Sequence, residues 1–83
     1  ENILFEVLIS HENPLTFSLQ EYLTDTFEIN IVSQRKLSDG SFKNEYHLLT
    51  KSEILEKDVF NQLTAITGLK ELKVVRKKIN VQL

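Results

Sequence analysis

The first strand of the chain is the feature that most constrains its fold. Apolar side chains recur at every second position of residues 2–10, which is the period of a β-strand. The alternate positions are mixed, because Leu4 and Leu8 flank Glu6. Apolar residues on both faces are expected of an inner strand that has neighbours at both edges. The regularly spaced residues are Ile3, Phe5, Val7 and Ile9.

Two later segments have the period of a helix. Asn13 suits the N-cap and Pro14 the first turn, because the missing N–H of proline would have no partner there. A first helix is therefore predicted over residues 14–26. A second helix is predicted over residues 52–67, with Gly68 ending it in a left-handed conformation. Its apolar face consists of Leu55, Val59, Leu63 and Ile66.

Period-two alternation returns in three segments, which are residues 28–37, 42–51 and 69–76. Asp39 and Gly40 lie between the first two and tolerate the positive φ of a hairpin turn. Residues 77–83 still alternate. They are predicted to prolong the last strand or to form an extra edge strand.

The predicted element order is βαββαβ. It indicates an α+β fold, a ferredoxin-like two-layer sandwich whose antiparallel sheet has the order 4-1-3-2. One domain spans residues 1–83, and we expect it to be excised from a larger protein. The predicted helix-facing residues are Ile3, Phe5, Val7, Ile9, Ile29, Ile31, Phe42, Tyr46, Leu48, Leu72 and Val74. The pleat then assigns Leu4, Leu8, Val32, Leu49 and Val75 to the opposite face, which we predict to be an interface.

Composition limits the chemistry of the chain. The 83 residues have a net charge of -2 and no cysteine, which excludes disulfides, thiolate metal sites and cysteine nucleophiles. No apolar run approaches the roughly 18 residues that span a bilayer. The carboxylates are scattered without catalytic spacing. We therefore expect no enzyme activity and no cofactor.

RNA binding is an alternative, because RRM domains share the βαββαβ order and stack bases on an open sheet face. The alternation here predicts Phe42 and Tyr46 on the helix-facing side, and it leaves Lys43, Glu45 and His47 on the open side. The acidic balance also opposes nucleic-acid binding. We therefore expect no nucleic-acid partner.

The closing phrase at residues 63–72 carries a family resemblance. Leu63, Ile66, Gly68, Leu69 and Leu72 match the pattern that ends the second helix of ACT-like regulatory domains. The loop at residues 13–14, the entry into the second strand at 27–31 and the hairpin at 39–40 also resemble this family. The resemblance implies a ferredoxin-like fold and a regulatory role.

The first loop departs from the family pattern. Its polar residues His11, Glu12, Asn13 and Pro14 are candidate ligand-binding residues. They supply too few ligands for a metal site, and we predict none. ACT-like domains that bind amino acids resemble one another in placing glycine after the proline, whereas Leu15 follows Pro14 here.

A variant without this glycine is the C-terminal domain of bacterial membrane proteins of the MgtC/SapB type. Similarity to it implies a cytoplasmic appendage of an inner- or plasma-membrane protein, with a role in magnesium homeostasis or in regulation of a membrane partner. It also implies homodimerisation or docking to another domain through the sheet. The alternative is a conventional ACT domain that senses an amino acid or another small ligand for a metabolic enzyme.

Overall fold

The computed structural model describes residues 3–12 and 18–77. They form a small α+β domain with a four-stranded antiparallel sheet, as the alternation predicted, and one α-helix where two were expected. The elements in chain order are β1 (Ile3–His11), a 3-10 helix (Leu19–Tyr22), β2 (Glu28–Lys36), β3 (Phe42–Thr50), α1 (Glu56–Leu63) and β4 (Leu69–Lys77).

The strand β1 lies inside the sheet, between β3 and β4. The strands follow one another in the order β2-β3-β1-β4, and every pair is antiparallel. Phe5, Val7 and Ile9 are buried against the helical side, as predicted. They pack in one core with Leu48 of β3 and Leu63 of α1. The central strand therefore supplies the core that its alternation indicated.

The α-helix predicted over residues 14–26 is wrong for its described part. Residues 14–17 lie outside the described residues, and the 3-10 helix is followed by Leu23 in an extended conformation. The side chain of Gln20 explains this ending: its Nε2 donates to the carbonyl of Asp25 and its Oε1 accepts the N–H of Phe27. Those bonds satisfy a loop backbone that a helix would have paired internally. Thr24, Asp25 and Thr26 also have low helix propensity.

The second predicted helix exists but is shorter than residues 52–67. It covers Glu56–Leu63, and its buried residues are Val59 and Leu63. Leu55, predicted on the buried face, is the N-cap and is 51% exposed, whereas Ile54 is buried. Gly68 has a φ of 78°, as predicted, but it lies in the turn before β4 and not at the end of the helix.

The edge strand β2 contains a β-bulge. Ile31 pairs with Tyr46 and Ser33 pairs with the next residue of β3, Glu45, so Val32 is the extra residue. Ile31 pairs with Tyr46 and so lies on the predicted helix-facing side, but it is 57% exposed on this outer strand and is not part of the core. Ile29, before the bulge, does pack against the core. The alternation alone contains no signal for the inserted residue.

The β2–β3 hairpin forms where Asp39 and Gly40 predicted it. Gly40 has a φ of 89°, a region that favours glycine. The N–H of Leu37 donates to the carbonyl of Ser41 at 2.7 Å and closes the loop. The predicted extension at residues 78–83 lies outside the described residues.

Candidate functional site

The face of the sheet opposite α1 presents an ordered array of side chains. The strand register arranges it in four cross-strand rows, each written from β4 through β1 and β3 to β2. The rows are Lys77–Leu4–Leu49–Glu28, Val75–Glu6–His47–Asn30, Lys73–Leu8–Glu45–Ser33 and Glu71–Ser10–Lys43–Arg35. We call this array the open face.

Four of the five residues predicted as an interface lie on the open face. Leu4, Leu8, Leu49 and Val75 occupy it, and each is half-buried among its neighbours. Val32 is the extra residue of the bulge and has no partner in the register, in which Ser33 pairs with Glu45. The contribution of Val32 to the apolar stripe stays a prediction.

The apolar side chains surround a carboxylate. Leu4 directly opposes Leu49, while Glu6 lies between Val75 and His47 in the adjoining row. Cross-strand neighbours of this kind are close enough to interact. The open face is thus a mixed surface, in which an acidic group interrupts the predicted stripe.

Glu6 pairs with two basic side chains. Its Oε1 lies 3.6 Å from Nζ of Lys77, and its Oε2 lies 3.9 Å from Nε2 of His47. The Glu6 side chain is 45% exposed. Ion pairs that are this exposed contribute about 0–1 kcal/mol to stability. Their main consequence is to orient charges at the centre of the open face.

A third ion pair spans β1. Nζ of Lys43 lies 3.3 Å from Oε1 of Glu71, and the register puts Ser10 between the two residues. Ser10 is only 5% exposed. Its small side chain lets the two longer ones meet above it. The last row therefore contains an ion pair between its β4 and β3 residues.

A shallow depression of about 330 Å³ lies over the centre of the open face. Leu8 and Val75 form its apolar part, and Glu6, Lys73 and Lys77 are among its charged residues. Small-molecule sites are usually concave and predominantly apolar. The mixed lining and shallow shape suit protruding side chains of another protein surface better than an enclosed small ligand.

The structure describes two of the four residues predicted as a ligand site. His11 is 1% exposed and lies on the helix-facing side, opposite Phe42. Glu12 is exposed, and its N–H donates to the carbonyl of Gly68 at 3.1 Å. Asn13 and Pro14 lie outside the described residues.

His11 belongs to a buried polar cluster that the sequence analysis missed. Nδ2 of Asn44 lies 3.1 Å from Nε2 of His11 and donates to Oη of Tyr46 at 3.0 Å. Asn44 is 3% exposed, and its Oδ1 has no hydrogen-bond partner. Burial raises the pKa of Tyr46, and the hydrogen bond from Asn44 opposes this effect. Asn44 could have been found, since it shares the helix-facing alternation of Phe42 and Tyr46.

The described residues include no group of three or more His, Asp or Glu side chains that could hold a metal ion. Phe42 and Tyr46 lie on the helix-facing side, as predicted, which leaves Lys43, Glu45 and His47 on the open face. Across residues 3–12 and 18–77, no helix has the length and apolar character needed to cross a bilayer. No protein-family model, curated protein or solved structure matches the chain.

Proposed function

We propose that the chain is a non-catalytic interaction or regulatory domain of ferredoxin-like architecture, which docks to a protein partner through its open face. The observation that carries this proposal is the half-buried group of Leu4, Leu8, Leu49 and Val75, framed by charged side chains on three strands. Non-obligate protein interfaces are on average about as apolar as the rest of the protein surface, so a mixed apolar and charged face is compatible with docking.

The ferredoxin-like architecture is supported by the strand order, which reads β4-β1-β3-β2 from the other edge. It is also supported by α1, which follows β3 and packs on the same side as the 3-10 helix. The proposed layer therefore contains one full helix, with the segment of Leu19 and Leu23 covering the rest of the core.

The magnitudes indicate weak docking. Full burial of an exposed aliphatic side chain contributes about 1.5–3 kcal/mol, and half-buried residues have roughly half of that left to gain. Four such residues would therefore contribute about 3–6 kcal/mol, against an association cost of about 4–15 kcal/mol. Charge complementarity must supply specificity and part of the affinity.

The proposed parent is a membrane protein of the MgtC/SapB type, with this domain on the cytoplasmic side. It is supported by the sequence phrase at residues 63–72. The reading frame around this segment tests it. Hydrophobic helices encoded before Glu1 are the expected finding, and a metabolic enzyme encoded there would overturn this part of the proposal.

Site-specific photo-cross-linking in the native cells tests the docking surface. A photoreactive residue at Glu45, which is exposed on the open face, should give a discrete adduct. The matched control is Lys57, which is equally solvent-facing but lies on α1. Leu8→Glu should abolish the Glu45 adduct, because its charge would be desolvated in the contact. Similar adducts from both positions, or an adduct that survives Leu8→Glu, would overturn the proposal.

A further inference from the structure

We infer that the partner of the open face is a second copy of this chain, stacked face to face about a two-fold axis that runs parallel to the strands between β1 and β3. This inference rests on the proposed function and names its partner. A two-fold contact uses the same surface on both copies, so the surface must be complementary to itself. The register of the open face allows that requirement to be checked.

Rotation about such an axis keeps each row in place and reverses the order of the strands. It lays β4 of one copy on β2 of the other, and β1 of one copy on β3 of the other. Packed sheets keep their strand directions within about 30° of each other, so this correspondence survives the sheet twist.

The outer strands become complementary in charge. Lys77 of one copy meets Glu28 of the second copy in the first row. Glu71 meets Arg35 of the second copy in the last row. Symmetry doubles both contacts, so opposite charges meet at all four corners of the array.

The inner strands are also complementary in the first two rows. Leu4 meets Leu49 of the second copy, and Glu6 meets His47 of the second copy. In the third row Leu8 meets Glu45 of the second copy, whose carboxylate comes within one strand spacing of Lys73, the row neighbour of Leu8. The Leu4–Leu49 pair thus stacks on its counterpart in the second copy, and Glu6 gains a third basic neighbour.

A two-fold axis perpendicular to the strands gives a poorer match. It preserves the strands and reverses the rows, so that Glu6 meets Leu8 and Leu49 meets Lys43 of the second copy. Val75 would meet Lys73 in the same way. Burial of a charge against an apolar side chain is unfavourable. The perpendicular axis makes three kinds of such contact, whereas the parallel axis makes one, between Leu8 and Glu45. We therefore favour the parallel axis, in which Leu4 packs against Leu49 of the second copy.

The area of the face predicts a weak dimer. Four rows two residues apart and four strands measure roughly 26 Å by 19 Å, or about 500 Å² per copy. The total of about 1,000 Å² lies at the lower limit for a specific interface. We therefore expect association at high micromolar concentration, with a strong dependence on ionic strength.

Charge reversal followed by sedimentation velocity tests this inference. Lys77→Glu and Glu28→Lys should each weaken dimerisation about tenfold, because each sets like charges against each other twice. The double variant Lys77→Glu/Glu28→Lys should restore association toward the wild-type value. The same charge reversal at the other contact, between Arg35 of one copy and Glu71 of the second copy, provides an independent test. Lys57→Glu on α1 is the control of equal charge change and should have no effect.

Three results would overturn the inference. They are a wild-type chain that is monomeric at millimolar concentration, a dimer insensitive to Lys77→Glu, and a double variant that associates more weakly than either single variant. The last result would indicate the perpendicular axis, in which Lys77 meets Glu71 and Glu28 meets Arg35. A monomeric chain that still forms the Glu45 adduct would remove the second copy as partner and keep the proposed function.

Discussion

Asn44 and His11 are joined side chain to side chain, with 3.1 Å between Nδ2 of Asn44 and Nε2 of His11. Both residues are buried, and they connect the end of β1 to the beginning of β3 beside the core. Tyr46 extends the cluster through its hydroxyl oxygen. A buried polar cluster stabilises a fold only to the extent that its groups are paired, so its hydrogen bonds can be tested through stability.

Tyr46→Phe should destabilise the domain by about 1 kcal/mol, because it removes the acceptor of a buried hydrogen bond and keeps the ring. The thermal midpoint should fall by roughly 4–8 °C for a domain of this size. Urea unfolding in an Asn44→Leu background is the control. The same substitution should cost less there, because the donor is already absent. Equal costs in both backgrounds would show that the bond contributes nothing.

The raised pKa of Tyr46 predicts a loss of stability in alkali. Burial, its largest cause, favours the neutral phenol in the folded protein, so the folded state holds its proton above the ordinary value of 10.0. This contribution is complete below pH 10 and is lost as the pH rises from there through the folded pKa. Urea midpoints should fall over that window more steeply in wild type than in Tyr46→Phe. The chain has two tyrosines, so the difference in phenolate absorbance between the two proteins isolates Tyr46. A difference titration centred at or below pH 10 would contradict the prediction.

Alternation was sufficient to predict the sheet, because each strand buries one face. Phe5, Val7 and Leu48 are buried, and Leu4 and Leu49 lie opposite them, as a period of two requires. The α+β class and the four antiparallel strands were predictable for the same reason. Asn44 follows the same alternation, so its burial was predictable as well. Its amide is not a typical catalytic group and therefore gave no functional signal.

Two features depended on interactions that periodicity does not encode. Gln20 pairs with the backbone of Asp25 and Phe27, and the chain remains extended after the 3-10 helix although its leucines keep helical spacing. The bulge at Val32 shifts the register of β2 by one residue after Ile31, so that Ser33 pairs with Glu45 on the open face. Both features depend on which hydrogen bonds the backbone makes in the folded protein. The spacing of apolar residues along the sequence does not specify those bonds.

Protonation of Asp39 should lower the stability of the domain in acid. The hydrogen bond from Lys70 is the largest cause that holds the pKa of this carboxyl well below its usual range, and those from Ser41 add to it. The contribution is present above the unfolded value of 3.8 and is lost as the pH falls through the lower folded value. Asp39→Asn should lower stability at neutral pH and flatten its decline below pH 3.8. Chemical unfolding at pH 7 and at pH 3 measures both effects, and parallel declines in the two proteins would contradict the assignment.

Free amino acids should not bind the loop at residues 11–15. His11 is buried beside Asn44, the N–H of Glu12 is bonded to Gly68, and Leu15 adds a side chain where a ligand-binding loop needs glycine. Calorimetric titration against the twenty amino acids should give only heats of dilution. A saturable heat at micromolar concentration would contradict this, and its loss in Leu15→Arg would locate the site in the loop.

Deletion of Val32 should increase association through the edge of the sheet. The bulge interrupts regular pairing on β2, which is an outer strand, and bulges at such edges hinder the addition of a further strand. Without the extra residue, Ile31 and Ser33 would be consecutive and would still pair with Tyr46 and Glu45, so the edge of the sheet would be straighter.

Val32→Thr is the matched control, because it removes an exposed apolar side chain and keeps the bulge. We expect the deletion variant, and not Val32→Thr, to form larger species by light scattering at concentrations where wild type stays clear. This association should persist in Leu8→Glu, since it uses the edge of β2 and not the open face; if Leu8→Glu abolished it, the bulge would have no protective role.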